Sequence, residues 1–234
     1  MACVLSVNLG ALRRSRHSGI GVTAIDKRPV AGPVAVCAPG PKGVGGSGLA
    51  GDAVADRHHH GGADQAVYAY AREDLDAWEG ELGRALGNGA FGENLTVGGL
   101  DVTGARIGER WRVGRDVVLE VADPRIPCRT FAAWLGERGW ERRFTLRGAP
   151  GAYLRVVEEG EVRAGDAIVV CESPPHDVTI SLMFRALTRE PRLLPALLAA
   201  GDALPRETRA LIAAYLGRGA AAAAAAPFAP PAED

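Results

Sequence analysis

One cysteine stands in a sequence context that could make its thiol reactive. Cys128 follows Pro127 in the stretch ADPRIPCRTF and lies between Arg125 and Arg129. A proline restrains the preceding residue to extended geometry and lacks a backbone donor, so the stretch is typical of a sheet edge, a bulge or a loop. Nearby positive charge favours the thiolate, the form that attacks electrophiles and binds metals. Free cysteines are usually inert core residues, but this context favours a reactive thiol at Cys128.

The other cysteines give no sign of a shared site. Cys3, Cys37 and Cys171 lie in apolar, strand-like runs, and we expect them to be buried core residues. No two cysteines form a C-x-x-C pair, and none has zinc-finger spacing. Four scattered cysteines do not resemble a disulfide framework, so we expect reduced thiols in the cytosol.

A second cluster of chemistry-bearing residues lies at 51–70, in GDAVADRHHHGGADQAVYAY. Imidazole is the commonest metal ligand. In an extended strand, however, His58 and His60 would share a face while His59 points away, and the H-E-x-x-H spacing of zinc proteases is absent. We favour a pocket-lining His60, followed by Gly61 and Gly62 where the backbone must approach a ligand closely. The alternatives are a zinc or iron site, or histidines that are solvated or cap a turn.

Two further segments are ambiguous by themselves. In the glycine-rich loop GPKGVGGSGLAGD, Lys42 precedes the glycines instead of following them, so the loop is not a Walker A motif, and no Rossmann fingerprint is present. We expect a flexible or closely approaching loop. Glu93 and Asn94 follow a glycine and precede a strand, a position that is also typical of ordinary turn residues.

Several arginines could form a local anion site. Arg155 follows Tyr153 by two residues, so both side chains can face the same side of a strand. With Arg57, Arg125 and Arg129 it could bind an oxyanion, because planar guanidinium groups suit phosphate. The net charge of −1 gives no chain-wide excess of positive charge that would point to nucleic acid.

Short strands between Gly and Pro turns must position these residues up to about residue 172. Many short strands with few helices imply a closed or nearly closed barrel with helical insertions. AVYAY reads as a strand that gives way to a helix with Leu75, Trp78 and Leu82 on one face. TFAAWLGERGWERRF also has helical spacing.

Two hairpins are expected in this region. One lies in IGERWRVG, with Glu109 and Arg110 at its turn. The other begins at GAYLRVV, turns at Glu158–Glu161 and precedes a further strand at Ala167–Cys171.

From residue 173 the pattern becomes helical, with three short helices at 182–187, 193–199 and 206–216 separated by Pro-containing turns. A block of this size is too small to bury a core alone and should pack against the barrel or a second chain. We predict a barrel domain at 1–172, a helical domain at 173–217 and a disordered Ala/Pro-rich tail at 218–234. No segment approaches the roughly 20 apolar residues that span a bilayer, and the first residues lack the basic start of a signal peptide. We therefore expect a cytoplasmic protein.

The constellation resembles the MOSC family (molybdenum cofactor sulfurase C-terminal domains), particularly its stand-alone YiiM-like branch. The matching segments occur in the family's order: GLAGDAVADRHHHGGADQAVYAY, FGENLTVGGL, IGERWRVG, LEVADPRIPCRTF and GAYLRVVEEGEVRAGDAIVV. The resemblance implies a mainly β fold, with a MOSC-type β-barrel, helical insertions and a small C-terminal three-helix domain. It also implies a pocket for the molybdenum cofactor (molybdopterin).

The resemblance also implies roles for individual residues. Cys128, the family's proline-cysteine thiol, would ligate molybdenum or carry sulfur, and His60 of the HGG motif would join it as a catalytic residue. The implied cofactor-binding residues are Arg57, His60, Glu93, Asn94, Arg125 and Arg155. Gln65 departs from the family pattern, because relatives commonly have a lysine there, so one expected positive charge is missing.

The implied activity is reduction of N-hydroxylated bases or amines by a molybdenum-dependent oxidoreductase that needs no pyridoxal phosphate. No flavin or iron–sulfur motif appears in the sequence, so an external electron-donor protein is expected, with no nucleic-acid or membrane partner. A homodimer is one option for the oligomeric state. The alternatives are a sulfur (persulfide) or cofactor carrier without redox turnover, and a binding module whose helical appendage recruits a partner.

Overall fold

The structure is a computed structural model that describes residues 1–224. The strands are β1 (Cys3–Gly10), β2 (Arg13–Arg14), β3 (Val22–Thr23), β4 (Lys27–Pro29), β5 (Val34–Val36), β6 (Val67–Ala71), β7 (Leu95–Gly98), β8 (Arg110–Val113), β9 (Val117–Pro124), β10 (Ala152–Glu158), β11 (Gly160–Val162) and β12 (Ile168–Glu172). The helices are α1 (Arg72–Leu82), α2 (Arg129–Leu135), α3 (Trp140–Arg147), α4 (Ile180–Thr188) and α5 (Arg206–Ala224), with 3₁₀ helices at Ala63–Gln65 and Pro191–Ala203.

The largest sheet has eight strands in the order β12-β8-β9-β10-β6-β7-β1-β4, and β6 and β7 are parallel while the other neighbours are antiparallel. An isolated bridge between Cys3 and Ala167 brings the beginning of β1 beside the beginning of β12. There the Val4 amide donates to the Asp166 carbonyl at 2.9 Å. The expected sheet-dominant fold with several helices is confirmed, whereas closure into a barrel stays a prediction.

The pairing of β11 differs from the expected hairpin. β11 does not fold back on β10 but pairs with β5 in a separate two-stranded sheet. The reason is that a single residue, Glu159, separates β10 from β11, whereas a β-hairpin needs a loop of at least two residues. The hairpin of IGERWRVG is also displaced: Arg110 lies within β8, and its turn falls at residues 114–116, where Gly114 has a φ of 64°.

The predicted helix after AVYAY is confirmed as α1, whose Leu75 and Trp78 are buried. Both belong to an aromatic cluster with Phe91, Phe131 and Trp140. This cluster fills the space between α1, α2 and α3 and packs beside the segment that contains Cys128.

The C-terminal helices share the core of the sheet. Ile180 and Met183 of α4, Leu197 of the second 3₁₀ helix and Ile212 of α5 lie in one apolar cluster with sheet residues. The helices therefore pack against the sheet, and a separate three-helix domain is not confirmed. Of the predicted disordered tail, residues 218–224 continue α5 and residues 225–234 lie outside the described part. In the part that the structure describes, no helix has the length and apolarity needed to cross a bilayer.

The expectation that the remaining cysteines are core residues is wrong. Cys37 and Cys171 are exposed, and Cys3 is partly buried. β12 forms one end of the main sheet, and all of its residues after Ile168 are exposed. An apolar strand at an edge need not be buried, which is why the composition of this run was misleading.

Candidate active site

A cavity of about 180 Å³ opens between the β2–β3 hairpin, the segment 52–61 and the connection from β9 to α2. Exposed residues Gly19, His60 and Ile126 mark its mouth. Its lining residues with polar or reactive side chains include Lys27, Asp52, Asp56, His60, Gln65, Tyr68, Asn94, Arg125, Cys128 and Tyr153. The cavity therefore brings together residues from segments that are far apart in the sequence.

Cys128 reaches the cavity because the chain leaves the sheet just before it. β9 ends at Pro124, and Cys128 has extended backbone angles (φ −139°, ψ 167°) immediately before α2. Its thiol is free and partly buried. Of the two arginines that flank it in sequence, Arg125 lines the cavity, whereas Arg129 is exposed at the beginning of α2.

Arg125 is a buried cation whose positive charge is not balanced by a carboxylate among the described residues. It is 8% exposed, and its Nη1 donates to the Phe91 carbonyl at 2.6 Å. The guanidinium carbon lies 4.2 Å from the centroid of the Phe131 ring and 5.1 Å from that of Tyr68. Among residues 1–224 no carboxylate forms a salt bridge with it. A buried positive charge that has no carboxylate partner among the described residues favours an anion in the adjoining space.

The three histidines lie in a turn and not in the extended strand assumed from the sequence. His58 and His59 contact each other, with ring centroids 4.7 Å apart, and Asp56 Oδ2 lies 2.9 Å from His59 Nδ1. His60 alone of the three lines the cavity. No group of three or more His, Cys, Asp or Glu side chains within residues 1–224 is placed to hold a metal ion. The zinc or iron alternative therefore finds no support.

His60 is neutral at pH 7. The residue has exposed surface, but the surrounding protein displaces water from its ring, which disfavours the charged imidazolium. The positive charge of Arg125 disfavours it further. Together they lower the pKa of His60 to about 4. The ring can thus donate one hydrogen bond and accept another without carrying charge.

The glycines after His60 serve packing within the protein. Gly61 and Gly62 both have a φ of 77°, and a Cβ at Gly61 would lie 2.7 Å from the Gly46 carbonyl oxygen. At Gly62 a Cβ would lie 2.6 Å from the Lys42 backbone. The close approach predicted from the sequence exists, but its partner is the glycine-rich loop.

Glu93 is fully buried and lies outside the lining of the cavity. Its Oε1 accepts hydrogen bonds from the Gly89 amide at 2.6 Å and from Thr96 Oγ1 at 2.8 Å, while its Oε2 accepts from the Phe91 amide at 3.0 Å. Burial raises its pKa, and these donors oppose that shift. The carboxylate thus holds the turn that precedes β7. The same turn places the Phe91 carbonyl where it accepts the hydrogen bond from Arg125.

A saturated network forms the wall next to Glu93. Asn94 Nδ2 donates to Asp52 Oδ2 at 2.9 Å, and Asn94 Oδ1 accepts from the Tyr68 amide at 3.1 Å. Asp52 Oδ1 accepts from Lys27 Nζ at 2.5 Å and from the Gly10 amide at 2.7 Å. Burial lowers the pKa of Lys27, and Asp52 opposes that shift.

Other polar groups at or beside the cavity have few hydrogen-bond partners among the described residues. Gln65 Nε2 donates to Asp123 Oδ2 at a long 3.4 Å, and the buried Gln65 Oε1 has no hydrogen-bond partner in residues 1–224. Burial raises the pKa of Asp123 to about 7. The Tyr153 ring lies tilted against the Tyr68 ring with their centroids 4.9 Å apart, and burial also raises the pKa of Tyr153, so its hydroxyl keeps its proton at neutral pH.

The structure does not bring Arg57 or Arg155 to the cavity lining. Arg57 is exposed, and its Nη1 donates to the Val44 carbonyl at 3.2 Å. Arg155 donates to Asp64 at 2.6 Å and to Glu120 at 2.8 Å, so it is already paired with two carboxylates. For Arg57, Arg155 and Glu93 a direct role in cofactor binding stays a prediction.

Sequence reasoning missed the roles of Lys27, Asp52, Tyr68 and Asp123. Lys27 and Asp52 are 25 residues apart, and no local pattern joins them. Asp123 offered a weak signal, because it interrupts the apolar strand VVLEVADP shortly before Arg125.

Comparison with known proteins identifies the family to which this chain belongs. The MOSC domain model matches residues 56–169. The uncharacterized protein YflK of Bacillus subtilis is 38% identical over 163 residues, which cover 69% of this chain and 70% of YflK. The chain therefore belongs to the MOSC domain family, whose members are associated with molybdenum cofactor binding.

Within that family the architecture is YiiM-like. The crystal structure of YiiM from Geobacillus stearothermophilus superimposes with a TM-score of 0.73 at 26% identity, over 92% of this chain and all of that one. A protein of Gibberella moniliformis named reductase is 31% identical over 176 residues, or 73% of this chain but 29% of its own length. The reductase name belongs to that longer protein.

Proposed function

We propose that this MOSC protein binds the molybdenum cofactor in the cavity and reduces N-hydroxylated bases or amines in the cytoplasm, with electrons from a separate donor protein. The observation that carries the proposal is the juxtaposition of Cys128 and Arg125. A free thiol and a buried guanidinium, which has no carboxylate partner within residues 1–224, line the same cavity.

The lining residues fit the molybdenum cofactor by their donor chemistry. Molybdenum is a soft metal that favours thiolate, and Cys128 offers one sulfur. The anionic cofactor would balance the charge of Arg125. The unpartnered Oε1 of Gln65 can accept a hydrogen bond from an N–H of the pterin. Asn94, in contrast, is already bonded through both ends of its amide.

Reduction of an N-hydroxylated compound breaks one N–O bond and consumes two electrons and two protons: R–NH–OH + 2e⁻ + 2H⁺ → R–NH₂ + H₂O. The bound cofactor would supply the two-electron transfer. Among the residues of this chain, protonated Tyr153 can donate a hydrogen bond to the leaving oxygen. Neutral His60 at the mouth can orient the substrate, and water there can deliver the protons.

Cys128→Ala tests the role of the thiol directly. We expect the molybdenum content of the purified protein, measured by elemental analysis, to fall at least roughly tenfold. Cys171→Ala is the matched control, since that thiol is free but exposed on β12. Molybdenum content that is unchanged by Cys128→Ala would remove the ligand role, and wild-type protein without molybdenum would remove the proposed function.

A sulfur or cofactor carrier is the second candidate, because the Cys128 thiol is free and beside the mouth of the cavity. In that case Cys128 would hold a persulfide or the protein would transfer the cofactor without turnover. Cofactor-loaded protein, supplied with reductant and an N-hydroxylated base, separates the two candidates. Absence of the amine product together with sulfur released by cyanide would favour the carrier.

A further inference from the structure

Four exposed arginines without carboxylate partners among the described residues lie next to cavity-lining positions, in sequence or across a strand pair. Arg16, Arg57 and Arg129 each lie within two residues of a cavity-lining position, and Arg14 pairs across the β2–β3 hairpin with lining residue Val22. All four are exposed. None of them forms a salt bridge among the described residues. We call these four arginines the basic rim.

The acidic residues nearest in sequence do not neutralise the basic rim. Asp26 forms salt bridges with Arg28 at 2.5 Å and with Arg13 at 3.5 Å. Asp56 accepts a hydrogen bond from His59 at 2.9 Å, and this bond lowers the pKa of Asp56, so Asp56 places one negative charge beside the four positive charges of the rim. In a chain with a net charge of −1 the basic rim is therefore a local positive surface.

Large apolar side chains are exposed on the same surface. Ile20 at the tip of the hairpin is 50% exposed, Ile126 at the mouth 45% and Trp134 of α2 39%. Thr130 Oγ1 donates to the His17 carbonyl at 3.3 Å, so the hairpin lies against the beginning of α2. Trp134 follows Thr130 by four residues and shares its helix face.

This combination is typical of a protein interface. Tryptophan and arginine dominate the energetics of such surfaces, in which an apolar centre is surrounded by polar groups. A nucleic-acid site would instead have a stripe of basic residues that follows the phosphate backbone of the nucleic acid, and it would need no apolar centre. The surface therefore favours a protein partner with complementary carboxylates.

Building on the proposed function, we infer that the basic rim and the exposed apolar side chains of Ile20, Ile126 and Trp134, which we call the apolar centre, form the docking surface for an acidic electron-donor protein. Reduction requires two electrons per turnover from outside the chain. A donor seated on the rim would lie at the opening that leads to Cys128, where the cofactor is proposed to bind. Pairing of its carboxylates with the rim arginines would steer its approach and set its orientation.

The test compares two reductants in the cofactor-loaded protein. One is a flavodoxin, an acidic flavin-carrying protein, reduced in advance, and the other is dithionite-reduced methyl viologen, which needs no docking surface. For the double variant Arg14→Glu/Arg16→Glu we expect the KM for flavodoxin to rise about tenfold at low ionic strength. The difference should shrink at high salt, because screening weakens exposed charge pairs. Viologen-driven turnover and molybdenum content should stay within about twofold of wild type.

Arg115→Glu is the matched control, because Arg115 is exposed in the β8–β9 turn, has no salt-bridge partner among the described residues and does not line the cavity. Trp134→Ala tests the apolar centre and should raise the KM for flavodoxin without changing its salt dependence. The proposed docking surface would be overturned by an unchanged KM for flavodoxin in Arg14→Glu/Arg16→Glu, or by an equal rise of this KM in Arg115→Glu.

Two further results would also overturn it. One is a loss of molybdenum content in Arg14→Glu/Arg16→Glu, which would assign the rim to the cofactor. The other is tighter binding of a single-stranded oligonucleotide than of flavodoxin, with the same arginine dependence. If wild-type protein shows no viologen-driven turnover, the proposed function fails. Calorimetric titration with flavodoxin at low salt then tests the docking surface separately.

Discussion

The polar residues at the cavity fall into two sets that differ in whether their groups have partners: the bonded wall, with Asp52 and Asn94 and with Glu93 behind them, and the open wall, with Arg125 and Gln65. On one wall Asp52 and Asn94 are bonded through all of their side-chain N and O atoms, and buried Glu93 behind them accepts three hydrogen bonds. In the open wall, counting partners within residues 1–224, Arg125 has one carbonyl partner and Gln65 has an oxygen without a partner.

The difference separates scaffold from binding surface. A buried polar group with all of its partners stabilises the fold, whereas one without a partner lowers stability and needs a further reason to be present. We infer that the bonded wall holds the geometry and that the open wall binds the ligand. Each wall should therefore respond to substitution in its own way.

The largest effect on stability is expected from Glu93→Ala. The substitution leaves the Gly89 and Phe91 amides and the Thr96 hydroxyl without their acceptor, so the free energy of unfolding should fall by about 4 kcal/mol. Denaturant titration measures this change. Glu93→Gln, which keeps one acceptor oxygen, should lose about half as much. A loss below about 1 kcal/mol for the alanine variant would contradict the scaffold role.

Asp52→Asn should destabilise the protein by about 3 kcal/mol, because it leaves the buried ammonium of Lys27 without a negative partner. The double variant Lys27→Met/Asp52→Asn should recover much of that loss, since it also removes the buried charge. Denaturant titration of both variants checks the coupling. Equal stability of the single and double variants would show that the unpaired charge of Lys27 is not what destabilises Asp52→Asn.

Arg125→Met should change the free energy of unfolding by only about 1 kcal/mol, since no salt bridge is lost. Molybdenum content, however, should fall at least roughly tenfold. Arg110→Met is the control, because Arg110 pairs with Glu120 and Glu172 away from the cavity lining. It should leave molybdenum content unchanged. If Arg125→Met retained the metal, the open wall would not be the binding surface.

A further effect concerns pH. Because the pKa of Asp123 is raised to about 7, the native state holds this proton more tightly than the unfolded chain does. The contribution of Asp123 to stability is thus fully present below the ordinary aspartate pKa of about 4 and is lost as the pH rises towards 7.

Asp123→Asn removes this titration. The difference in unfolding free energy between wild type and variant, measured from pH 4 to pH 8, should shift in favour of the variant as the pH rises. A difference that is independent of pH would show that Asp123 has an ordinary pKa in the native state.

The sequence by itself determined the features that depend on local patterns and on ordered motifs. The context of Cys128, the buried face of α1 with Leu75 and Trp78, and the order of five MOSC segments could all be read from neighbouring residues. These features identified the family and the sheet-dominant fold. They could not reveal the partner of β11, since pairing with β5 depends on which edges other strands already occupy.

The tertiary structure decided which polar residues are bonded and which are open. Glu93 and Asn94 are adjacent in sequence, yet the first is fully buried and bonded within a turn while the second lines the cavity. Arg155 lies within β10 and Arg125 directly follows β9, yet of the two only Arg155 pairs with two carboxylates. The physical reason is that a hydrogen bond or an ion pair depends on distances between segments, and a one-dimensional pattern does not contain those distances.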